Sequence, residues 1–505
     1  MKKLSKNTKT LIYSTAGLAV LIAVALALFL TAEKPEDGNG GDLPDVLDNS
    51  HLIFTDFNPS DVVSVSVKNP LDEYVIEQLL PGDFGIAEMG RAPRDIRKLE
   101  NAARYTAGFK ARNIVSENET DFEQFGLDEA SPRARIDVIF KNGETMSLLI
   151  GDVTPTTEPM TYVRRVGGDT VYAVSSYFVN QFKEDRRFYV SLQLKESFEE
   201  AGSPEIQRLT VTQREQDGEK KRYNIELINR ASETDIVTTT STHKLTEPFN
   251  VDLDFNSSID IIFGLFGLTA DEVAYASGFG EKPSDDVTGF DNPLLTVEMT
   301  VRGETSTFVL GNYVFMELEE DEAVLTGESV KYYAIFSEHP DVIYFFHSGT
   351  LIPWYNIDIN RIITKSFIMP FIFALSDFTL ETAEHKISIE IEGDNNSELK
   401  IRQDGVLLED PAVFQRFYQY IISAGGDRIL ESTTEEVREM PFLARFTYSF
   451  RGDKEDSVIE FYNAGNERFA AISDGVLFTG RMAYILRLMQ NIENYLNGEQ
   501  IILTW

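Results

Sequence analysis

Few side chains in this 505-residue chain combine a reactive type with a spacing that chemistry requires. The densest candidate is "ELEEDE", Glu317 to Glu322, whose hard carboxylate oxygens are of the kind that hold Ca²⁺. It lacks the glycine turn and alternating ligands of an EF-hand loop, so a solvated acidic loop is the simpler reading and a weak cation site the alternative. Five histidines, His51, His243, His339, His347 and His385, form no i,i+4 pair and no HExxH spacing, and read as solvated or core residues. The absence of cysteine excludes thiol nucleophiles, thiol redox pairs and thiolate metal sites. No GxSxG elbow, P-loop or dinucleotide fingerprint occurs. Glycoside hydrolysis needs two carboxylates at a fixed separation, and 82 acidic residues give no way to choose a pair. The pairs Arg164-Arg165 and Arg186-Arg187 stand out on so acidic a chain; they suit internal ion pairs first and a carboxylate-bearing partner second. No catalytic, cofactor-binding or metal-binding residue is assigned, and no cofactor is expected.

Whatever these residues do, the chain has to carry them somewhere. Lys2, Lys3, Lys6 and Lys9 precede the uncharged apolar run Leu11 to Ala32, which has the roughly 20 residues needed to cross a bilayer. A cleavable signal has a shorter apolar region followed by a small-x-small site, whereas the best such site, Ala25-Leu26-Ala27, lies inside the run. The expectation is an uncleaved transmembrane anchor at 11–32, a cytoplasmic N-terminus at 1–10, and the remainder outside the cytoplasm at the cell membrane. Residues 33–50, rich in Pro, Gly and acids, read as a tether. The net charge of −36 repels phosphate backbones, so nucleic acid is not an expected partner, and it favours solubility. With 42% hydrophobic and 11% aromatic residues the chain can bury real cores.

The organisation shows in a repetition. "KNGETMSLLIGD", 141–152, returns as "VRGETSTFVLGN", 301–312, and the spacing predicts matching hairpins with two-residue turns at Gly143 and Gly303. Around them Gly126, Asp128, Pro132, Gly151 and Tyr172 match Gly289, Asp291, Pro293, Gly311 and Tyr344 in order, with Tyr162 a further landmark of the first module, and Gly452 takes the glycine's place in a third, more worn pass. The implied fold is α+β: three modules of antiparallel hairpins, 51–198, 199–366 and 367–505, each with one or two packed helices and each burying its own core. Expected helices include one capped by Asp95 with Ile96, Leu99, Ala103 and Thr106 on one face, and "SSIDIIFGLFGL" behind a serine cap. Others are "SSYFVNQF", one starting at Asp410 with Phe414, Phe417 and Ile421 inward, and "RMAYILRLMQNIENYL". "SFIMPFIFAL", interrupted by Pro370, is too short to span a membrane and reads as a buried connection.

Gly126-Leu127-Asp128, Pro132, Ile150-Gly151, Tyr162-Val163-Arg164 and Val171-Tyr172-Ala173-Val174 resemble the bacterial family called domain of unknown function 4340, best over 60–195, less over 205–365 and in outline beyond. The resemblance implies a membrane-anchored extracytoplasmic companion of ABC-type export machinery and carries over no catalytic residue. Ile335 stands where the second module would have Arg164. The expected function is a non-catalytic accessory or binding protein whose partner is an ABC-type transporter subunit or an envelope component. Its alternatives are an envelope hydrolase using a carboxylate acid/base pair, and a structural spacer.

Overall fold

The computed structural model describes residues 52–155, 157–158, 160–215, 217–228, 241–315, 330–347 and 353–505. The expected cytoplasmic segment 1–10, anchor 11–32, tether 33–50, His51 and the acidic stretch Glu317 to Glu322 lie outside them. Among the described residues no helix is long and apolar enough to cross a membrane.

Alternating apolar residues make the central strands: Ala134, Ile136, Val138 and Phe140 are buried along Ala134–Phe140, as are Leu295, Val297 and Met299 along Leu295–Val301 and Ala444, Phe446, Tyr448 and Phe450 along Phe442–Phe450. They belong to three antiparallel sheets of eight, nine and nine strands. Across the first sheet the order is Asp83–Gly85, Glu73–Leu80, Val62–Lys68, Ala134–Phe140, Thr145–Val153, Met160–Arg165, Val171–Ser175 and Asn113–Ser116. The other two repeat that order with one more strand, Val251–Asp252 or Val406–Leu407, at the first edge. The fold is thus α+β, built on three antiparallel sheets.

In every sheet the chain leaves one edge, crosses as a helix and enters the opposite edge. The crossing helices are α1 (Ile96–Ala107), α2 (Phe255–Phe263) and α3 (Pro411–Ile421), and each is capped by an aspartate side chain, Asp95, Asp254 or Asp410, that accepts a first-turn N–H. The expected serine cap of the second is therefore corrected: Asp254 outcompetes it because a carboxylate also complements the helix dipole. Ile96 is 53% exposed and its expected inward place goes to Ala102, which lies on the Leu99–Thr106 face. "SSYFVNQF" makes one short α-turn, Ser176–Val179, followed by the 3-10 turn Asn180–Lys183. The closing helix α4 (Met482–Leu496) buries Tyr484, Ile485, Leu488 and Ile492.

The modules do not bury separate cores. One apolar cluster runs from Val62 to Ile501 through all three sheets, because the connecting segments are themselves buried: Leu194 and Phe367 sit inside it. "SFIMPFIFAL" follows the same path, with Phe367, Ile372 and Leu375 buried. Each segment that enters a module forms the same two-bond antiparallel bridge with the residues after the crossing helix. In the first, Phe54 N–H donates to Phe109 O (2.9 Å) and Ala111 N–H to Leu52 O (2.8 Å). In the second, Leu194 donates to Leu268 (2.8 Å) and Ala270 to Leu192 (2.8 Å); in the third, Phe367 donates to Ala424 (3.0 Å) and Gly426 to Lys365 (2.8 Å).

The hairpins share a positive-φ glycine but not a turn. Arg302 and Gly303 both have positive φ and connect Val301 directly to Glu304, a two-residue turn as expected. In the first hairpin only Gly143 has positive φ, and Phe140 N–H donates to Glu144 O, so the loop is Lys141–Gly143 with Gly143 as a bulge residue. Asn142 accepts from Glu144 N–H instead of adopting left-handed backbone. The "GLD…IG" spacing has a different cause. Gly126 (φ +66°) and Gly289 (φ +73°) end a helical turn that lies against the strand, and a Cβ at Gly151 or Gly311 would overlap the carbonyl oxygen of Phe125 or Thr288. Gly151→Ala and Gly311→Ala should each cost about 2–4 kcal/mol, since backbone must move. Gly143→Ala, strained but in open space, should cost only about 1 kcal/mol; urea unfolding of the three variants checks the order.

Candidate functional site

The residues singled out by repetition are structural in their surroundings. Tyr162 meets Phe125 edge-on at 5.0 Å, Tyr172 meets Phe54 at 4.8 Å, and Phe478, the register equivalent of Tyr172, meets Phe367 at 5.2 Å. Tyr172 and Phe478 thus stand beside the entry paths of the first and third modules, and Tyr344, paired with Ala334 as Tyr172 is with Val163, holds the same register position in the second. Tyr344 is fully buried with its hydroxyl 2.9 Å from His339 Nδ1. Asp128 and Asp291 are exposed in the turns before Pro132 and Pro293, which lead into the central strands; Gly452 takes positive φ in the third hairpin.

The histidines are held by neighbours. His243 is buried with Nε2 2.8 Å from Ile206 O, and burial lowers its pKa; burial also lowers that of His339. His347 and His385 face Glu272 (2.8 Å) and Glu493 (2.7 Å). Among the described residues no group of three His, Asp or Glu side chains is arranged to hold a metal ion.

The arginines hold segments together. Arg164, 4% exposed, donates to Leu127 O (3.1 Å) and Gly168 O (2.9 Å), pairs with Glu129 and lies 3.7 Å from the Phe122 ring centre. Register places Ile335 at the same position of the second sheet and Ile472 of the third, so apolar packing replaces the guanidinium there. Arg186 and Arg187 seal the first joint between modules. Arg186 grips Asp72 through two bonds (2.7 and 2.8 Å), donates to Glu73 O and reaches Gly278 O across the joint (3.3 Å). Arg187 pairs with Asp185 and donates to Ala274 O (3.0 Å), with its guanidinium over Phe279. Burial pushes the Asp72 carboxyl up, but the Arg186 bonds outweigh it and hold it below the ordinary aspartate value.

The second joint is open. A groove of about 500 Å³ lies between the second and third sheets. One wall is the connecting segment, with Thr364, Ser366, Phe367, Ile368 and Met369. Lys244, Asn250 and Asp252 come from the second module, and Lys454, Ser457, Ser473, Asp474 and Phe478 from the third. Lys454 lies 4.1 Å from the Phe450 ring centre. Burial raises the Asp474 carboxyl, against the backbone N–H of Val458, the Ser457 hydroxyl and the nearby Lys454 charge. Apolar walls with a few convergent polar groups are the usual make-up of a ligand site. Nothing in residue spacing announced this one, since its lining comes from six separated stretches; the signal available was the Ser-Asp-Gly turn at 473–475 beside a lysine-bearing hairpin.

The family model described as "Domain of unknown function (DUF4340)" matches residues 86–293. It starts before α1 and ends just before Leu295–Val301, so it covers the first joint and crosses from the first sheet into the second. No curated protein and no solved structure matches the chain.

The depressed pKa of Asp72 has a pH consequence of definite sign. Its contribution to stability is present above the ordinary aspartate pKa of about 3.9 and is lost as pH falls through the lower folded value. Asp72→Asn should destabilise the protein by about 2–4 kcal/mol at pH 7, because Arg186 is left buried and unpaired. It should also flatten the fall in unfolding midpoint below pH 4 relative to wild type, as followed by denaturation at a series of pH values.

Proposed function

We propose that this chain, whose residues 86–293 are a domain of unknown function 4340, is a membrane-anchored extracytoplasmic binding protein that seats a partner in the groove at its second joint. The observation that carries the reading is the groove itself: two lysines, one from each module, line a cleft with an apolar wall on a chain of net charge −36. Its two lysines are balanced by Asp252 and Asp474, a local exception on such a chain, and they favour a partner that presents a carboxylate-bearing, partly apolar segment. The lysine-flanked run Leu11 to Ala32 supports attachment to the membrane, which places an ABC-type transporter subunit or another envelope component within reach. The engagement of Asp72, Glu460 and Glu272 in bonds to Arg186, Arg438 with Arg445, and Lys331 supports a binding role, since these carboxylates are committed to holding segments together.

One observation favours a second reading. Asp252 and Asp474 line the same groove, Asp474 with a raised carboxyl pKa, and two carboxylates facing one cleft are what a glycan-cleaving acid/base pair requires.

In-cell cross-linking followed by mild detergent extraction should recover a reproducible membrane partner, and Lys244→Glu with Lys454→Glu should lower its yield at least fivefold. Equal yield from the variant would remove the groove from the proposal, and recovery of the chain alone would remove the binding role. Release of soluble products from cell-wall glycan, abolished by Asp474→Asn, would replace binding by hydrolysis.

A further inference from the structure

The closing element of a module decides how far its crossing helix is covered. In the third module that element is α4, 15 residues long, and it shuts in Tyr420 of α3. Tyr420 stacks on Tyr484 at 5.2 Å with the rings 5° from parallel, and its hydroxyl donates to Tyr484 O (2.6 Å). Tyr105 of α1 is its counterpart, ten positions after the capping aspartate in each case (105 − 95, 420 − 410). The first module closes with two four-residue turns, Ser176–Val179 and Asn180–Lys183, which cover less. Phe178 meets the Tyr105 ring at 4.8 Å, but Tyr105 stays half-buried and Tyr177 is 71% exposed.

The space left over is a cavity of about 330 Å³ between α1 and the segment 177–188, within the range of about 300–1,000 Å³ usual for ligand pockets. Lys98, Asn101 and Tyr105 line it from one stripe of α1, at i, i+3 and i+7. The rest of the lining is Tyr177, Asn180, Gln181, Glu184 and Phe188. The Tyr105 and Tyr177 rings are 5.7 Å apart and inclined at 59°, so they make a corner rather than a stack. Gln181 is 7% exposed; its Nε2 donates to Phe178 O (3.3 Å), and among the described residues its Oε1 accepts no hydrogen bond. A buried amide oxygen is costly to leave unpaired, so the cavity has to supply a donor.

Charge narrows what that donor belongs to. The Lys98 ammonium is committed: it donates to Phe188 O (2.8 Å), lies 3.7 Å from Asp95 and sits 4.2 Å from the Phe188 ring centre. Arg104, outside the lining, is turned to Asn101 Oδ1 and the Tyr105 ring. With Glu184 in the wall, the lining is a poor match for an anion.

We infer that this cavity binds a neutral sugar ring. Pyranose C–H faces pack on aromatic rings, and sugar hydroxyls, which both donate and accept, match amides that do the same. The corner of Tyr105 and Tyr177 supplies the first, and Asn101, Asn180 and Gln181 supply the second, with Gln181 Oε1 accepting from a hydroxyl. The cavity shares no lining residue with the groove at the second joint, so either site can fail without the other.

Saturation-transfer NMR on the full-length protein in a sugar-free detergent tests the inference, with glucose, galactose, mannose and N-acetylglucosamine offered singly at millimolar concentration. At least one of these sugars should show transfer, and Tyr177→Ala with Asn180→Ala should reduce it roughly fivefold or more. Tyr177→Phe keeps the ring and should keep the transfer, and Lys244→Glu with Lys454→Glu, at the groove, should leave it unchanged. Tyr177 and Asn180 are both exposed, so their replacement leaves the core intact, as urea unfolding would check. Transfer to none of these sugars, or transfer untouched by Tyr177→Ala with Asn180→Ala, would overturn the inference. So would stronger transfer to glucuronate than to any neutral sugar.

Discussion

Two backbone hydrogen bonds admit each segment into its module, and the rest of the molecule is arranged around them. A connecting chain that runs between two packed units carries N–H and C=O groups into the interior, where leaving them unpaired is costly. Here the residues just after each crossing helix supply the partners: Phe109 and Ala111, Leu268 and Ala270, Ala424 and Gly426. Once the backbone is satisfied, the residue that donates the first bond can turn an apolar side chain inward: Leu194 and Phe367 are buried in a core shared by neighbours, and Phe54, partly buried, packs against it. This is why the apolar cluster is continuous although every sheet closes on its own strand order. It also explains the crossing helix: it must return the chain to the far edge of the sheet, where the incoming segment waits.

The two joints then differ by what their connecting turns carry. Arg186 and Arg187 offer planar, multiply donating groups that fill the first joint and bond to carbonyls of the second module. At the second, Ile359 and Asn360 stand in their places, Asn360 makes a single amide bond to Ile429, and the groove lined by Lys244, Lys454 and Asp474 lies open beside the connecting segment. The same architecture therefore yields one rigid joint and one with room for a ligand. Charge follows that division: carboxylates at Asp72 and Glu460 are committed to arginines, whereas the groove gathers Lys244 and Lys454 with Asp252 and Asp474 beside its apolar wall.

Much of the fold was legible because local rules and the repeat agreed. The aspartates at Asp95 and Asp410 cap helices as their positions suggest, and Phe414, Phe417 and Ile421 line the buried face of α3. Gly126 with Gly151, and Gly289 with Gly311, recur because a turn lies against a strand so closely that no Cβ fits; in the third sheet Tyr462 stands at the corresponding position. The joints were not legible. "SLQLKES" and "TKSFIMP" share almost no residue type, since the bridge they make uses only backbone atoms, and backbone bonding leaves the side chains free to diverge. Nor could spacing along the chain expose a groove assembled from two modules. The shared core was missed for the same reason: repetition suggests self-contained units, and only the paths of Leu194 and Phe367 show that they are not.

The central claim is that the connecting segments are integral parts of the folded unit, and amide hydrogen exchange tests it most directly. In the full-length protein, peptides covering 190–195 and 363–368 should exchange as slowly as the adjoining strands Ile206–Arg214 and Leu375–Thr382, because opening them breaks into the common core. Exchange at the rate of unstructured chain in either connecting segment, with the strands still protected, would show that the sheets are independent units on flexible links and would contradict this account.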